Sequence, residues 1–105
     1  DGAIASDVYK AAVRILEKHG FMTGRDEGGD YGFFHSLGHG LGLEIHEEPR
    51  LSPKNDRPLE SGNVITVEPG LYYPDWGGIR LEDTVVVGRN SAETLTVYPT
   101  VLEID

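Results

Sequence analysis

At 105 residues the chain is one small domain, able to bury roughly 60 to 70% of the surface its unfolded form exposes. It contains no cysteine and carries eighteen acidic against nine basic residues, a formal net charge of −9. That composition excludes a disulfide framework and a thiolate metal site, and it argues against an electrostatic grip on nucleic acid or on an anionic membrane surface. Small molecules, peptides and cations are the expected partners, and any metal must be held by His, Asp or Glu.

In chain order, the opening "DGAIASDVYK" has neither a basic start nor a long apolar stretch, and no run in the sequence approaches the roughly 18 apolar residues of a membrane span. With the lack of cysteine, this leads to the expectation of a cytoplasmic protein without an address in the visible chain. The first predicted element is an amphipathic helix over residues 7–19. Ser6 reads as its N-cap, Asp7 suits the positive end of the dipole, Val8, Ala12, Ile15 and Leu16 recur at helical spacing, and Gly20 stops the run. His19 falls in the last turn, where an imidazole suits the carbonyl end of the helix, and is read as structural.

"TGRDEGGDYG", residues 23–32, combines four charges with four glycines and no apolar periodicity, and is predicted to be a flexible loop. Beyond it the period changes to two. "GLEIHEE" alternates, "NVITVEPGLYY" is β-branched and aromatic, and "GGIRLEDTVVVG" alternates between glycines. These stretches predict an antiparallel sheet containing strands at about 41–46, 63–69 and 78–88, with the three-proline stretch 48–62 as a loop. The fold class is therefore α+β: a curved antiparallel sheet packed against one helix.

Three of the four histidines, His35, His39 and His46, lie in "FFHSLGHGLGLEIHEEP". The glycines on either side of His39 allow close backbone approach. In "GIRLEDTVVV" the period of two puts Ile79, Leu81, Asp83 and Val85 on one face and Arg80, Glu82 and Thr84 on the other. Glu68 ends "VITVE" just before Pro69 and Gly70, at a sheet margin. An imidazole with two carboxylates suits Zn, Mn, Fe or Co. Each residue alone has a plainer reading, as a turn histidine or a solvated strand glutamate. The HEXXH zinc helix, the G-x-S-x-G elbow and the P-loop are all absent from the sequence.

Taken in order, "HSLGHGLGLEIHEEP", "VITVEPGLYY" and "GGIRLEDTVVV" resemble the C-terminal half of the catalytic domain of the prolidase and aminopeptidase P family, dinuclear metallopeptidases with the pita-bread (creatinase/aminopeptidase-like) fold. The resemblance covers essentially all of the chain. It implies that His39 is a metal ligand, that Glu68 is a second ligand able to help move a proton, and that Glu82 bridges two metals. It further implies that His46 contacts the substrate and steadies developing charge, that His35 lines the pocket beside it, and that Arg80 holds a carboxylate ligand in place. The implied reaction is attack on the peptide bond before proline by a metal-bridged water, without a covalent intermediate.

Family members take two further ligands, both aspartates, from a β-hairpin that precedes the helix, and this sequence starts after the matching point. Three of five ligands are therefore expected, with the first half of the catalytic domain and the N-terminal domain missing. The parent protein is expected to use two divalent ions (Mn, Co or Zn) and a peptide with proline second. The isolated chain is expected to hold at most one ion, weakly, and to be inactive. Apolar surface left exposed, and a homodimer, are expected on the same ground. The alternatives are a peptidase-like protein-binding module, disfavoured by four intact site residues, and a methionine aminopeptidase, which usually carries a longer insertion between the two glutamates.

Overall fold

The computed structural model describes residues 1–101, 103 and 104. Among the described residues, one helix, α1 (Ala5–Lys18), precedes nine short strands: β1 (Gly24–Asp26), β2 (Gly29–Tyr31), β3 (Gly38–Gly40), β4 (Glu47–Leu51), β5 (Val64–Val67), β6 (Gly70–Tyr73), β7 (Gly77–Arg80), β8 (Asp83–Val87) and β9 (Ala92–Thr94). The central sheet has the order β4-β3-β5-β8-β9, and β1-β2 and β6-β7 form separate two-stranded ribbons. Every strand pair is antiparallel. The fold is α+β.

The helix starts two residues earlier than its sequence suggests, and Ser6 is not its cap. Its first amides are satisfied by the loop that follows β4: Ala5 N–H donates to the Arg57 carbonyl (3.1 Å) and Ser6 N–H to that of Asn55 (2.8 Å). The buried Ser6 hydroxyl donates instead to Asp56 Oδ1 at 2.9 Å. At the other end, Phe21 N–H reaches the Leu16 carbonyl (3.0 Å) and Gly20 N–H that of Glu17 (2.9 Å). With Gly20 at φ +89°, this is a Schellman closure. His19 Nδ1–H donates to the Ile15 carbonyl at 2.8 Å, the role expected of an imidazole at a carbonyl end.

Val8, Tyr9, Ala12, Val13 and Leu16 pack on a core of Ala5, Phe33, Leu37, Leu51, Leu59, Ile65, Leu71 and Val87. Ile15, read from its spacing as a core residue, is 60% exposed, because the packed face turns through Tyr9 and Val13 rather than through position 15. Phe33 is the keystone. It is buried, its ring lies 5.5 Å from that of Tyr9, and it meets His35 edge-on at 5.0 Å.

Three loop and strand assignments need correction. Residues 23–32 are a hairpin, because Gly24 pairs with Tyr31 and Asp26 with Gly29 across a turn that Gly28 N–H fastens to Asp26 Oδ1 at 2.8 Å. Residues 41–46 are the connection between β3 and β4 rather than a strand, and β4 itself occupies 47–51, inside the stretch read as a loop. The alternation in "GLEIHEE" therefore marks a turn whose apolar residues point outward, with Leu43 fully exposed and Ile45 at 72%. The predicted strand 63–69 shortens to β5 at 64–67, and 78–88 is broken in two, between β7 and β8. Further apolar side chains, among them Trp76, Ile79, Leu81, Val97 and Tyr98, are exposed as well, which matches the uncovered apolar surface expected from the sequence.

Candidate metal centre

Pro69 has no N–H to donate, so the ladder that pairs β5 with β8 cannot continue through it. Pairing stops at Val67↔Asp83 and resumes at Gly70↔Arg80 between β6 and β7. The two sets of pairs are in phase, and Leu81 N–H donates to the Pro69 carbonyl at 3.2 Å across the gap. Glu68 and Glu82 therefore occupy opposed positions in one bent ribbon. Arg80, two residues before Glu82, shares its face, and Arg80 Nε lies 3.9 Å from Glu68 Oε2.

The third donor comes from the neighbouring strand. Gly40 pairs with Ile65, and Glu68 N–H donates to the Leu37 carbonyl at 2.7 Å, which sets His39 beside Thr66. The crossing is tight: a Cβ on Gly38 would fall on the Thr66 carbonyl, so only glycine lets the two backbones approach. His39 Nδ1–H donates to the Gly40 carbonyl at 2.9 Å. In the neutral ring this leaves Nε2 as a lone pair, and Nε2 faces Glu68 Oε1 at 3.2 Å.

One donor atom each from His39, Glu68 and Glu82 lies within 4.8 Å of the others. An ion held roughly 2.1 Å from each ligand leaves its donors at most about 4.2 Å apart, so a modest side-chain rotation closes the set. Two acceptors already face each other at 3.2 Å, and Glu82 adds a second carboxylate opposite the first. Such a set fits a divalent cation with nitrogen and oxygen ligands.

A cavity of about 380 Å³ is lined by His39, His46, Glu68, Arg80 and Glu82, together with Thr66 and Thr84. The exposed His46 ring stands edge-on to His39, centroids 4.4 Å apart. Ile79 and Leu81 line a different, apolar cavity with Leu16 and Leu71, so the period of two does separate the polar and apolar faces across the gap. His35 stands apart from the other five. Its Nδ1–H donates to the Ser36 carbonyl (2.7 Å), its Nε2 is 3.1 Å from the Tyr72 hydroxyl, and it is not among the residues lining the His39 cavity. Thr66, only 2% exposed, is the residue sequence reasoning passed over. The signal was present, since Thr66 and Glu68 share a face of "VITVE".

The model of metallopeptidase family M24 matches residues 1–89. The chain is 47% identical over 95 residues to the Xaa-Pro dipeptidase of Pyrococcus furiosus, an alignment that covers 90% of this chain and 25% of that protein. The structure superposes on the Xaa-Pro dipeptidase from Bacillus anthracis with a TM-score of 0.83 at 39% identity, covering 96% of this chain and 26% of the other. An X-prolyl aminopeptidase from Caenorhabditis elegans, described as a cytosolic enzyme with a di-nuclear active site, gives a TM-score of 0.68 at 26% identity, covering 94% and 16%. The chain thus spans about a quarter of the length of the curated relative and of the B. anthracis enzyme, and its helix and antiparallel ribbons are those of a pita-bread domain. With a match that runs through the segments carrying His39, Glu68 and Glu82, the chain belongs to metallopeptidase family M24.

Proposed function

We propose that this chain is the C-terminal part of the catalytic domain of a metal-dependent Xaa-Pro peptidase, a dipeptidase or aminopeptidase that hydrolyses the bond before proline. The observation that carries the reading is the convergence of His39 Nε2, Glu68 and Glu82, three acceptors that need a cation between them. The relatives, Xaa-Pro dipeptidases, supply the substrate class. Divalent ions, when bound, polarise the scissile carbonyl and lower the pKa of a water.

The chain's own residues do the rest. Glu82, opposed to Glu68, would be the carboxylate shared between two ions. Glu68 is both ligand and proton acceptor, with Arg80 Nε 3.9 Å from its Oε2. His46 stands exposed at the cavity mouth, where a ring N–H can donate to oxygen as negative charge grows. His35 is assigned to the substrate from the Tyr72 side rather than from within the cavity. Two ions need more ligands than the three donors gathered here, so the longer protein is taken to supply the remainder and the 105-residue chain to hold at most one ion.

The test is hydrolysis of Xaa-Pro dipeptides by the full-length protein loaded with Mn, Co or Zn, alongside this chain alone. Cleavage by the full-length protein and none by the chain is the expected result. Turnover by the chain alone, or inactivity of the full-length protein with every metal, would refute the reading and favour a binding module.

A further inference from the structure

We propose that Thr66 is a positioning residue for the metal centre, its single buried hydroxyl fixing the His39 backbone and the Glu68 carboxylate in one bonded unit. The inference rests on the metal-site reading above and adds a residue that touches no ion. Thr66 Oγ1 accepts from His39 N–H at 3.0 Å and lies 2.9 Å from Glu68 Oε1. The His39 carbonyl is 3.5 Å away, so the one hydroxyl proton goes to the nearer and charged acceptor. Both capacities of the hydroxyl are thereby used, at a residue 2% exposed.

The direction of each bond matters. A bond from Thr66 to Oε1 holds that oxygen beside His39 Nε2, 3.2 Å away, while Arg80 Nε stands nearest Oε2 at 3.9 Å. The carboxylate is thus tethered at one oxygen by Thr66, with the Arg80 guanidinium nearest the other. The same hydroxyl anchors the amide of the other ligand, at the crossing where Gly38 has no room for a side chain over Thr66. A carboxylate two residues along a strand could rotate freely, and this one is tethered by its own strand neighbour. Groups that orient metal ligands in this way typically cost 10- to 100-fold in affinity when removed.

The experiment uses the full-length protein, stripped of metal, and titrates Mn²⁺ alone by calorimetry, with thermal unfolding of the metal-free forms in parallel. Thr66→Val and Thr66→Ala remove the hydroxyl at two different volumes, and Thr66→Ser keeps it. The expected result is a loss of Mn²⁺ affinity of about tenfold or more in whichever hydroxyl-free variant folds, with Thr66→Ser within about threefold of the wild type. A folded Thr66→Val or Thr66→Ala with wild-type affinity overturns the proposal, as does a Thr66→Ser that binds as weakly as they do. Wild-type protein that takes up no Mn²⁺, or a His39→Ala variant that binds as well as the wild type, instead overturns the underlying metal-site reading.

Discussion

Glu68 and Glu82 face one another across the gap between two in-phase ladders, Val67↔Asp83 on one side and Gly70↔Arg80 on the other. Like charges directly opposed in an antiparallel pair are destabilising. Arg80, 3.9 Å from one of them and half exposed, offsets this only in part. The metal-free protein therefore carries a local cost that a bound cation removes. Glu82→Gln is expected to stabilise the chelator-treated protein slightly, by about a few tenths of a kcal/mol, seen as a higher unfolding temperature, and to weaken Mn²⁺ binding. Calorimetric scans with and without metal read both effects, and a lower metal-free stability in the variant would sink the idea.

His46 separates binding of metal from chemistry. It lines the cavity but is not one of the three converging donors. His46→Ala in the full-length protein is expected to leave Mn²⁺ affinity within about twofold, while Xaa-Pro hydrolysis falls about 100-fold, the scale of losing one positioned proton donor. Affinity and turnover falling together would place His46 among the ligands instead.

Gly38 tests the strand crossing. Because a Cβ there would meet the backbone of Thr66 rather than a movable side chain, Gly38→Ala has to push β3 from β5. The expected cost is about 1–3 kcal/mol, read as a lower midpoint in denaturant, together with weaker metal binding because His39 moves with its strand. A variant with unchanged stability would show that the crossing has more room than its geometry indicates.

Tyr72→Phe asks what His35 does. Its hydroxyl is the partner of His35 Nε2 at 3.1 Å, on a ribbon that also packs Phe34, 5.5 Å ring to ring. Loss of the hydroxyl is expected to cost about 1 kcal/mol of stability and to leave Mn²⁺ affinity unchanged. A clear fall in affinity would tie His35 to the metal centre that the cavity does not show it touching.

The grouping of the candidate site residues was more legible in the sequence than the strands that carry them. Alternation in "GIRLEDT" put Arg80 and Glu82 on one face and Ile79 and Leu81 on the other, and the two cavities divide them in that way. Alternation failed in "GLEIHEE", where the same pattern is a loop, because Leu43 and Ile45 face outward and nothing local distinguishes an outward apolar residue from an inward one. The hairpin at 24–31 was hidden because its stability comes from turn glycines and from tertiary support, with Gly32 bridging to Tyr72 and the Tyr31 ring stacked near Tyr73, and not from a hydrophobic period. Ser6 misled for a related reason. A distant loop offers its carbonyls to the helix start, and no local cap signal reports that.

The bent ribbon from Val64 to Val87 holds Glu68, Glu82 and Arg80 on one unbroken stretch of chain, and only His39 arrives from elsewhere. Loop-closure entropy grows with the logarithm of the span to be closed, so the two carboxylates meet at little conformational cost. Proteins rich in contacts this local tend to fold fast. Both candidate carboxylates are thus brought together by one short-range hairpin, whereas His39 has to reach them across a longer span of chain.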